Sequence, residues 1–484
     1  SQSATSTHLI RPFFVSFFKY VDDVVSMLMM FYPNEKYTQV DEVGDNFTVV
    51  SVLSKNTASA HVFKNGKEIT SGACIGQFDD IKEHKRVLKV AILRALKAVK
   101  NIDMPWGILT GVRPAKLVSD MWAEGKSDFE IREEMVRKFK VSPDKVSLMF
   151  SVASSEQKIL KDGKGKVSLY IGIPFCPTRC LYCSFTSYDM KRYNGKMDAY
   201  LDALEKEMAH CSKYYQYKKI SSIYIGGGTP TSLNEQQLER LLSMVDKYYS
   251  RPQEYTVEAG RPDTITREKL RILRHHNVGR ISINPQTLNQ KTLDLIGRNH
   301  TVEMFIDAFK MAREEGFKDI NTDIILGLPG EGEEEVTNTL KGLKELGPES
   351  ITVHTLAVKR ASRLKETLGD YTMTDAGLMD RLLGLAAFFT DRMGMHPYYM
   401  YRQKNMVGNF ENVGYAKEGY ECIYNVEIME EQQTILALGA GGSTKLVNSE
   451  NAQIERIFNV KSVDDYINRI DEMIQRKEVG IKWL

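Results

Sequence analysis

The sequence predicts an α/β protein built on an incomplete (β/α)6 barrel, with an N-terminal α+β domain and a C-terminal α/β extension. Three observations lead there. Six short apolar segments alternate with amphipathic helical patterns in the middle of the chain; a polar, glycine-containing stretch precedes the first of them; and each cluster of chemically active residues falls just after one of the six. Strands joined by crossover helices form a parallel sheet, whose site lies at the strands' C-terminal ends. The expected division is 1–162 for the N-terminal domain, 163–375 for the barrel and 376–484 for an extension that covers substrate.

Residues 8–80 combine a helical pattern near 17–32 with alternating runs, "NFTVVSVLS" and "TASAHVFKNGKEIT". The Asn65-Gly66 pair in the second run is a hairpin signal, because both residues tolerate positive φ. From about 81 to 160 the pattern is helical: "VLKVAILRALKAVKNI", "DFEIREEMVRKFK", then "SPDKVSLMFSVASSEQKIL" with Ser142 as N-cap and Pro143 opening the helix. "KDGKGK" at 161–166 has no apolar anchor and reads as a linker. The barrel strands follow as "SLYIGI", "SSIYIGG", "YTVEAG", "RISINPQ", "NTDIILGL" and "SITVHTL", separated by helices such as "MDAYLDALEKEMAHCSKYY" and "TVEMFIDAFKMAREEG". After about 375 come a helix, the aromatic and basic stretch "HPYYMYRQKNM", the glycine-rich "ALGAGGS" and a closing helix.

A length of 484 residues suggests two or three domains. A net charge of +2 offers no broad basic surface, so no nucleic-acid partner is expected. No run of about 18 apolar residues appears, so no membrane span is expected. Six cysteines in so long a chain do not form a secreted disulfide framework, and the protein reads as cytoplasmic.

Three of those cysteines crowd into "YIGIPFCPTRCLYC" at residues 170–183. The spacing C-x3-C-x2-C lets Cys176, Cys180 and Cys183 converge from one loop on an inorganic centre, and thiolates suit iron–sulfur or zinc. A closed zinc site wants four ligands, and no histidine is nearby. Cys74, Cys211 and Cys422 lie in other segments and read as buried thiols. Three thiolates on an iron–sulfur cluster would leave one iron open to a ligand that is not protein. After the second strand, "GGGTPT" offers residues without side chains, where backbone N–H groups can approach a ligand.

This arrangement resembles the radical S-adenosylmethionine (SAM) superfamily, in particular its coproporphyrinogen-dehydrogenase subgroup, which includes the HemW haem-binding proteins. "RISINPQTLNQKTLDLIGRNH" and "NTDIILGLPGE" are similar to that subgroup, and "GILTGVRPAKLV", "YRQKNMVGNFENVGY" and "LGAGGS" resemble its longer HemZ-type branch. The resemblance implies a [4Fe–4S] cluster held by Cys176, Cys180 and Cys183, with one SAM, or two, as cofactor. It implies cofactor contacts at Tyr170, Tyr182, Gly226, Gly227, Gly228, Thr229, Glu258, Gln286, Arg298, Asp323 and Ile325, with Tyr170, Gln286 and Arg298 closest to the chemistry. The implied reaction is oxygen-independent oxidative decarboxylation of coproporphyrinogen III to protoporphyrinogen IX in haem biosynthesis. Electrons would come from a low-potential donor such as flavodoxin or ferredoxin, and pass on to an unknown acceptor.

Other readings remain open within the same resemblance: a radical methyltransferase or haem-opening enzyme, and a non-catalytic haem carrier. Two departures bear on them. Gly172 stands where shorter relatives read Tyr-x-His-x-Pro-Phe-Cys, and Glu411 in "ENVGY" stands where HemW-type proteins carry a histidine. A tetrapyrrole with four carboxylates needs local cations, for which Arg261, Arg280, Lys359, Arg360, Arg363 and Arg402 are candidates. Tyr399 and Tyr401 could cover a flat macrocycle or simply pack the C-terminal region.

Overall fold

The computed structural model describes residues 13–15, 20–33, 35–54, 56–76, 80–183, 188–215, 218–356, 374–402, 409–448, 451 and 453–479. They form two compact units. The first comprises Ser1–Phe150, Asp375–Asp380 and Tyr401–Asn412; the second comprises Ser151–Thr374, Arg381–Met400 and Val413–Leu484.

The first unit carries a five-stranded sheet of β1 (Phe13–Val15), β2 (Thr38–Gln39), β3 (Thr48–Leu53), β4 (Thr57–Lys64) and β5 (Lys67–Ile75), in the order β2-β1-β3-β4-β5. β1 runs parallel to both neighbours, and β3, β4 and β5 are antiparallel. Asn65 (φ 53°) and Gly66 (φ 72°) make the tight turn between β4 and β5, as the sequence predicts. Alternation along β4 turns Ala58, Ala60 and Val62 inward, where they join Val24, Leu28 and Phe31 of one helix and Val87, Ala91 and Ile92 of another in one core. The helix Ile81–Lys100 starts at Asp80, whose side chain accepts from the Glu83 N–H.

"KDGKGK" is not an unstructured joint, because the helix Pro143–Gly163 runs into it. Beyond it the second unit begins with β6 (Val167–Ile173), followed by the short β7 (Phe175–Cys176) and β8 (Tyr188–Asp189), which pair with each other in parallel. Then come β9 (Ile220–Gly227), β10 (Glu254–Gly260), β11 (Arg280–Ile283), β12 (Asp319–Leu326) and β13 (Ser350–Thr355). The six strands β6 and β9 to β13 run parallel to one another. They are buried along nearly their whole length, and the helices between them carry the polar residues.

The final strands are β14 (His396–Arg402), β15 (Glu411–Ala416), β16 (Ile435–Leu438), β17 (Ser443–Val447) and β18 (Ile454–Phe458). The sheet order is β14-β15-β13-β12-β11-β10-β9-β6-β16-β17-β18, an open sheet of eleven strands rather than a closed barrel. β16 pairs in parallel with β6, so a seventh parallel strand, drawn from "ILALGAGG", flanks the first. From the sequence this stretch is legible only as glycine-rich, with no strand assigned to it. Gly439 (φ 94°) ends β16 so close to Gly172 that a Cβ would stand 2.6 Å from the Gly172 carbonyl oxygen. No helix among the described residues is long and apolar enough to cross a membrane.

Candidate functional site

The cysteine loop leaves the C-terminal end of β6, where a parallel sheet exposes its site. Its shape is fixed from several sides. Tyr188 N–H donates to the Pro174 carbonyl (2.8 Å), Cys183 N–H to the Cys180 carbonyl (3.2 Å), and Leu181 N–H to the Ile296 carbonyl (3.2 Å). Leu181 and Tyr182 rest on an apolar floor of Leu293, Ile296, Ile325, Leu328 and Leu356. Cys176 Sγ lies 3.5 Å from Thr229 Oγ1, and Arg298 Nη1 lies 3.6 Å from Cys180 Sγ. Burial works against the Arg298 charge, but Tyr182 and Cys180 beside it hold its ionisation above the ordinary arginine value.

Gly226, Gly227 and Gly228 close β9 against this loop. A Cβ on Gly228 would stand 2.5 Å from the Phe175 carbonyl oxygen, and one on Gly226 would stand 2.8 Å from Glu258 Oε2. Three N–H groups of this turn are engaged within the fold. Gly227 N–H donates to Glu258 Oε2 (3.2 Å), Gly228 N–H to the Ile173 carbonyl (2.8 Å) and Thr229 N–H to the Phe175 carbonyl (2.8 Å). The glycines are small because β6, the loop and Glu258 crowd them.

Glu258, at the end of β10, also accepts from Tyr224 Oη (2.5 Å). Burial raises its ionisation to about 7; the Tyr224 hydrogen bond opposes this and the nearby Asp323 adds to it. Above it, Tyr170, Tyr224 and Tyr424 stack with nearly parallel rings, the closest pair 4.4 Å apart. Tyr170 and Tyr224 are direct neighbours across β6 and β9, which is why a tyrosine six residues before Cys176 reaches the same place as Glu258.

The third group hangs on β11 and β12. Asp323 Oδ2 accepts from Asn284 Nδ2 (2.9 Å) and Oδ1 from Asn321 Nδ2 (2.8 Å), and His354 Nε2 lies 3.7 Å from Oδ2. Gln286 sits at φ 67°, with its N–H on the Asp323 carbonyl (3.0 Å) and its own carbonyl accepting from Ile325 N–H (3.0 Å). Arg298 Nη2 donates to the Asn284 carbonyl (2.6 Å), linking this group to the cysteine loop. Gln286 Oε1 and Arg298 Nε are buried without a hydrogen-bond partner, an arrangement that costs stability unless a ligand satisfies it.

The sequence-derived cofactor candidates therefore lie on β6, β9, β10 and β12, on the loop after β6, on the turn after β9, or on the segment that follows β11, with Arg298 beyond the short helix Gln290–Leu295. Three cation candidates do not serve such a site. Arg280 opens β11 at its opposite end and is tied to Asp319 (2.8 Å), Ser350 Oγ (2.7 Å) and the Tyr420 carbonyl (2.9 Å). Arg402 is buried in the first unit, donating to the Asn409 carbonyl (2.8 Å) and lying over the Trp106 ring. Arg261 turns inward, as described below. Lys359, Arg360 and Arg363 lie outside the described residues.

Tyr399 is buried against Gly414, where its ring takes the space of a Cβ. Cys74, Cys211 and Cys422 are buried; Cys422 Sγ donates to Glu254 Oε1 (3.3 Å). Sequence reasoning missed Asn284 and His354. Their signals are an asparagine and a histidine at the ends of otherwise apolar strands.

Among the described residues no three His, Cys, Asp or Glu side chains are placed to share one metal ion. A cubane cluster does not need such a set, because each thiolate takes a different iron. Three cysteines on one loop, a guanidinium at one sulfur and unmet polar atoms alongside fit a thiolate-bound cluster with a polar organic ligand.

The comparisons agree with that chemistry. The radical SAM superfamily model matches residues 170–343. The chain is 39% identical over 411 residues to the oxygen-independent coproporphyrinogen-III oxidase-like protein HemZ of Bacillus subtilis, covering 83% of this chain and 81% of that protein. The chain belongs to the radical SAM superfamily, in its coproporphyrinogen oxidase-like branch. It is also 31% identical to the heme chaperone HemW of Bacillus subtilis, over 63% of this chain and 76% of that one. The structure of coproporphyrinogen III oxidase HemN from Escherichia coli shares the fold, with a TM-score of 0.53 and 24% identity over 66% of this chain and 73% of that one. Membership in this branch relates the chain to haem biosynthesis, and brings a [4Fe–4S] cluster and SAM as its cofactors.

Proposed function

We propose that this chain catalyses the oxygen-independent oxidative decarboxylation of coproporphyrinogen III. The observation that carries the proposal is the guanidinium of Arg298, bonded at once to the Cys180 sulfur and to the carbonyl of Asn284, whose side chain in turn donates to Asp323 on β12. Cys176, Cys180 and Cys183 would hold the cluster, and Arg298, Glu258, Tyr170 and the Gly226–Thr229 turn would hold SAM. Tyr182, Gln286, Asp323 and Ile325 would line the site for a second SAM or for substrate.

When bound and reduced by a low-potential donor such as flavodoxin or ferredoxin, the cluster and SAM supply a carbon-centred radical able to take hydrogen from an unactivated carbon. The chain's own part is to position and to exclude water. The stacked Tyr170, Tyr224 and Tyr424 form a flat wall, and the floor of Leu293, Ile325 and Leu356 keeps the loop dry. In each of two rounds one of the four substrate propionates would lose one hydrogen atom, one electron to an unidentified acceptor and CO2, leaving a vinyl group; the product, protoporphyrinogen IX, keeps the other two.

A haem-carrier reading is less well supported. Glu411, which replaces the carrier histidine, is buried and accepts from Trp106 Nε1 (2.7 Å) and Lys145 Nζ (2.5 Å), so its carboxylate is already committed. Anaerobic incubation of the reconstituted protein with reductant, SAM and coproporphyrinogen III, followed by mass spectrometry, tests the proposal. Loss of CO2 with vinyl products is expected. Methylated products, or tight haem binding without turnover, would overturn it.

A further inference from the structure

Arg261 does something in this fold that its place in "EAGRPDT" does not announce. β10 ends at Gly260 (φ 56°), where Arg261 N–H bonds back to the Ala259 carbonyl (2.6 Å) in a three-residue turn that needs glycine at its centre. The turn carries the Arg261 side chain to the cysteine loop. There Nη1 donates both to the Thr178 carbonyl (3.1 Å) and to Thr178 Oγ1 (2.7 Å). Thr178 lies between Cys176 and Cys180. The other edge of the guanidinium is gripped by Asp263, with Nε to Oδ1 at 2.9 Å and Nη2 to Oδ2 at 2.7 Å. The residue is only 2% exposed.

We infer that Arg261 is a positioning residue that clamps the Cys176–Cys180 segment in the shape that binds the cluster. This rests on the reading of the three cysteines as cluster ligands. Two arginines then divide the work around the loop. Arg261 is neutralised by a bidentate carboxylate and acts by geometry, whereas Arg298 touches a cysteine sulfur and bears on the charge felt there. The base of the clamp is itself built in. Thr264 Oγ1 donates to the Arg261 carbonyl (2.8 Å), and the buried Lys269 donates to the carbonyls of Thr231 (2.7 Å) and Thr264 (3.2 Å). The turns after β9 and β10 are thereby tied beneath the loop.

Loss of a partner that orients a metal ligand typically costs about 10- to 100-fold in metal affinity. The test is the rate at which reconstituted protein loses iron to a chelator under anaerobic conditions, read at the cluster's absorbance, for Arg261→Gln, Thr178→Val and the double variant. Arg261→Gln should lose iron about 10- to 100-fold faster, and Thr178→Val should move in the same direction by less. The double variant should be no worse than Arg261→Gln, because both act through one contact. The midpoint potential of the cluster that remains should stay unchanged, while Arg298→Gln should lower it. Retention of iron in Arg261→Gln at the unaltered rate, multiplied effects in the double variant, or a shifted potential would each overturn the inference. If Arg261→Gln does not fold, Thr178→Val decides alone, since unaltered iron retention there removes the clamp. Failure of the unaltered chain to bind a [4Fe–4S] cluster would instead refute the reading of the cysteines.

Discussion

Glu258→Gln isolates a titration that the fold makes unusual. The carboxyl lies under the tyrosine stack, and burial lifts its ionisation from an ordinary 4.5 to about 7. Because the folded value lies above the unfolded one, the folded chain keeps a proton between these limits that the unfolded chain has lost. The stability linked to that proton is full below about pH 4.5, falls by about 1.4 kcal/mol per pH unit, and is gone above about pH 7. The whole interval is worth about 3 kcal/mol, and since the carboxyl is only partly buried, about 1–3 kcal/mol is a fair range. In a unit of this size about 2 °C of melting temperature accompanies each kcal/mol. Glutamine does not titrate. Melting temperatures of the apo-protein, measured by anaerobic scanning fluorimetry, should therefore show the variant gaining about 2–6 °C on the unaltered chain between about pH 5 and pH 8. A difference between the two proteins that stays constant across that range would refute the assignment of a near-neutral carboxyl to this position.

Cys176→Ala, Cys180→Ala and Cys183→Ala should each abolish the iron–sulfur absorbance, whereas Cys211→Ala should keep it; an unchanged spectrum in any of the first three would sink the cluster assignment. Gly228→Ala should unfold or misplace the cysteine loop, because its Cβ would come 2.5 Å from the Phe175 carbonyl, while Gly172→Ala, whose nearest neighbours stand at 3.4 Å or beyond, should fold and load normally. Soluble yield and cluster content report both. Glu411→Ala should cost the first unit about 1–3 kcal/mol, because the buried Lys145 ammonium loses its closer carboxylate and keeps only the half-exposed Asp380 at 3.4 Å, read from denaturant unfolding. Replacing Lys359, Arg360 and Arg363 together with glutamine should raise KM for a tetracarboxylate substrate at least ~10-fold, with SAM cleavage in the absence of substrate unchanged.

Much of the second unit was legible because its signals are local. "SSIYIGG" and "YTVEAG" are apolar runs bounded by glycine, and the helix Met197–Tyr215 coincides with its amphipathic segment. The cysteine loop was legible for the same reason, since its spacing lies within one turn of chain. β16 was not. Its four residues lead into glycine, and only the long-range pairing with β6 makes them a strand. The glycine motif shows a different limit. Its position after β9 was readable, but whether its N–H groups face a ligand depends on what Ile173, Phe175 and Glu258 do from other strands.

The arginines show the same limit at the level of function. A sequence reports that Arg261, Arg280 and Arg402 are charged and lie on suitable segments. Each is in fact almost fully buried, at 2%, 3% and 2% exposure, and each donates to internal carbonyls or carboxylates. A guanidinium with five donors is well suited to tying loops together, so burial of an arginine beside a site need not mean that it meets the substrate. Of the six cations considered, that leaves Lys359, Arg360 and Arg363 as candidates for a polyanionic substrate, and they follow β13 closely in the sequence. On this view the radical machinery and the recognition of substrate are carried by separate parts of the chain. The first is written into β6 and β9 to β12 and the segments that follow them, which hold the cysteine loop from several sides. The second would then lie beyond β13, and Gly172, which sits on β6 where an added Cβ meets only ordinary contacts at 3.4 Å or more, belongs with the first.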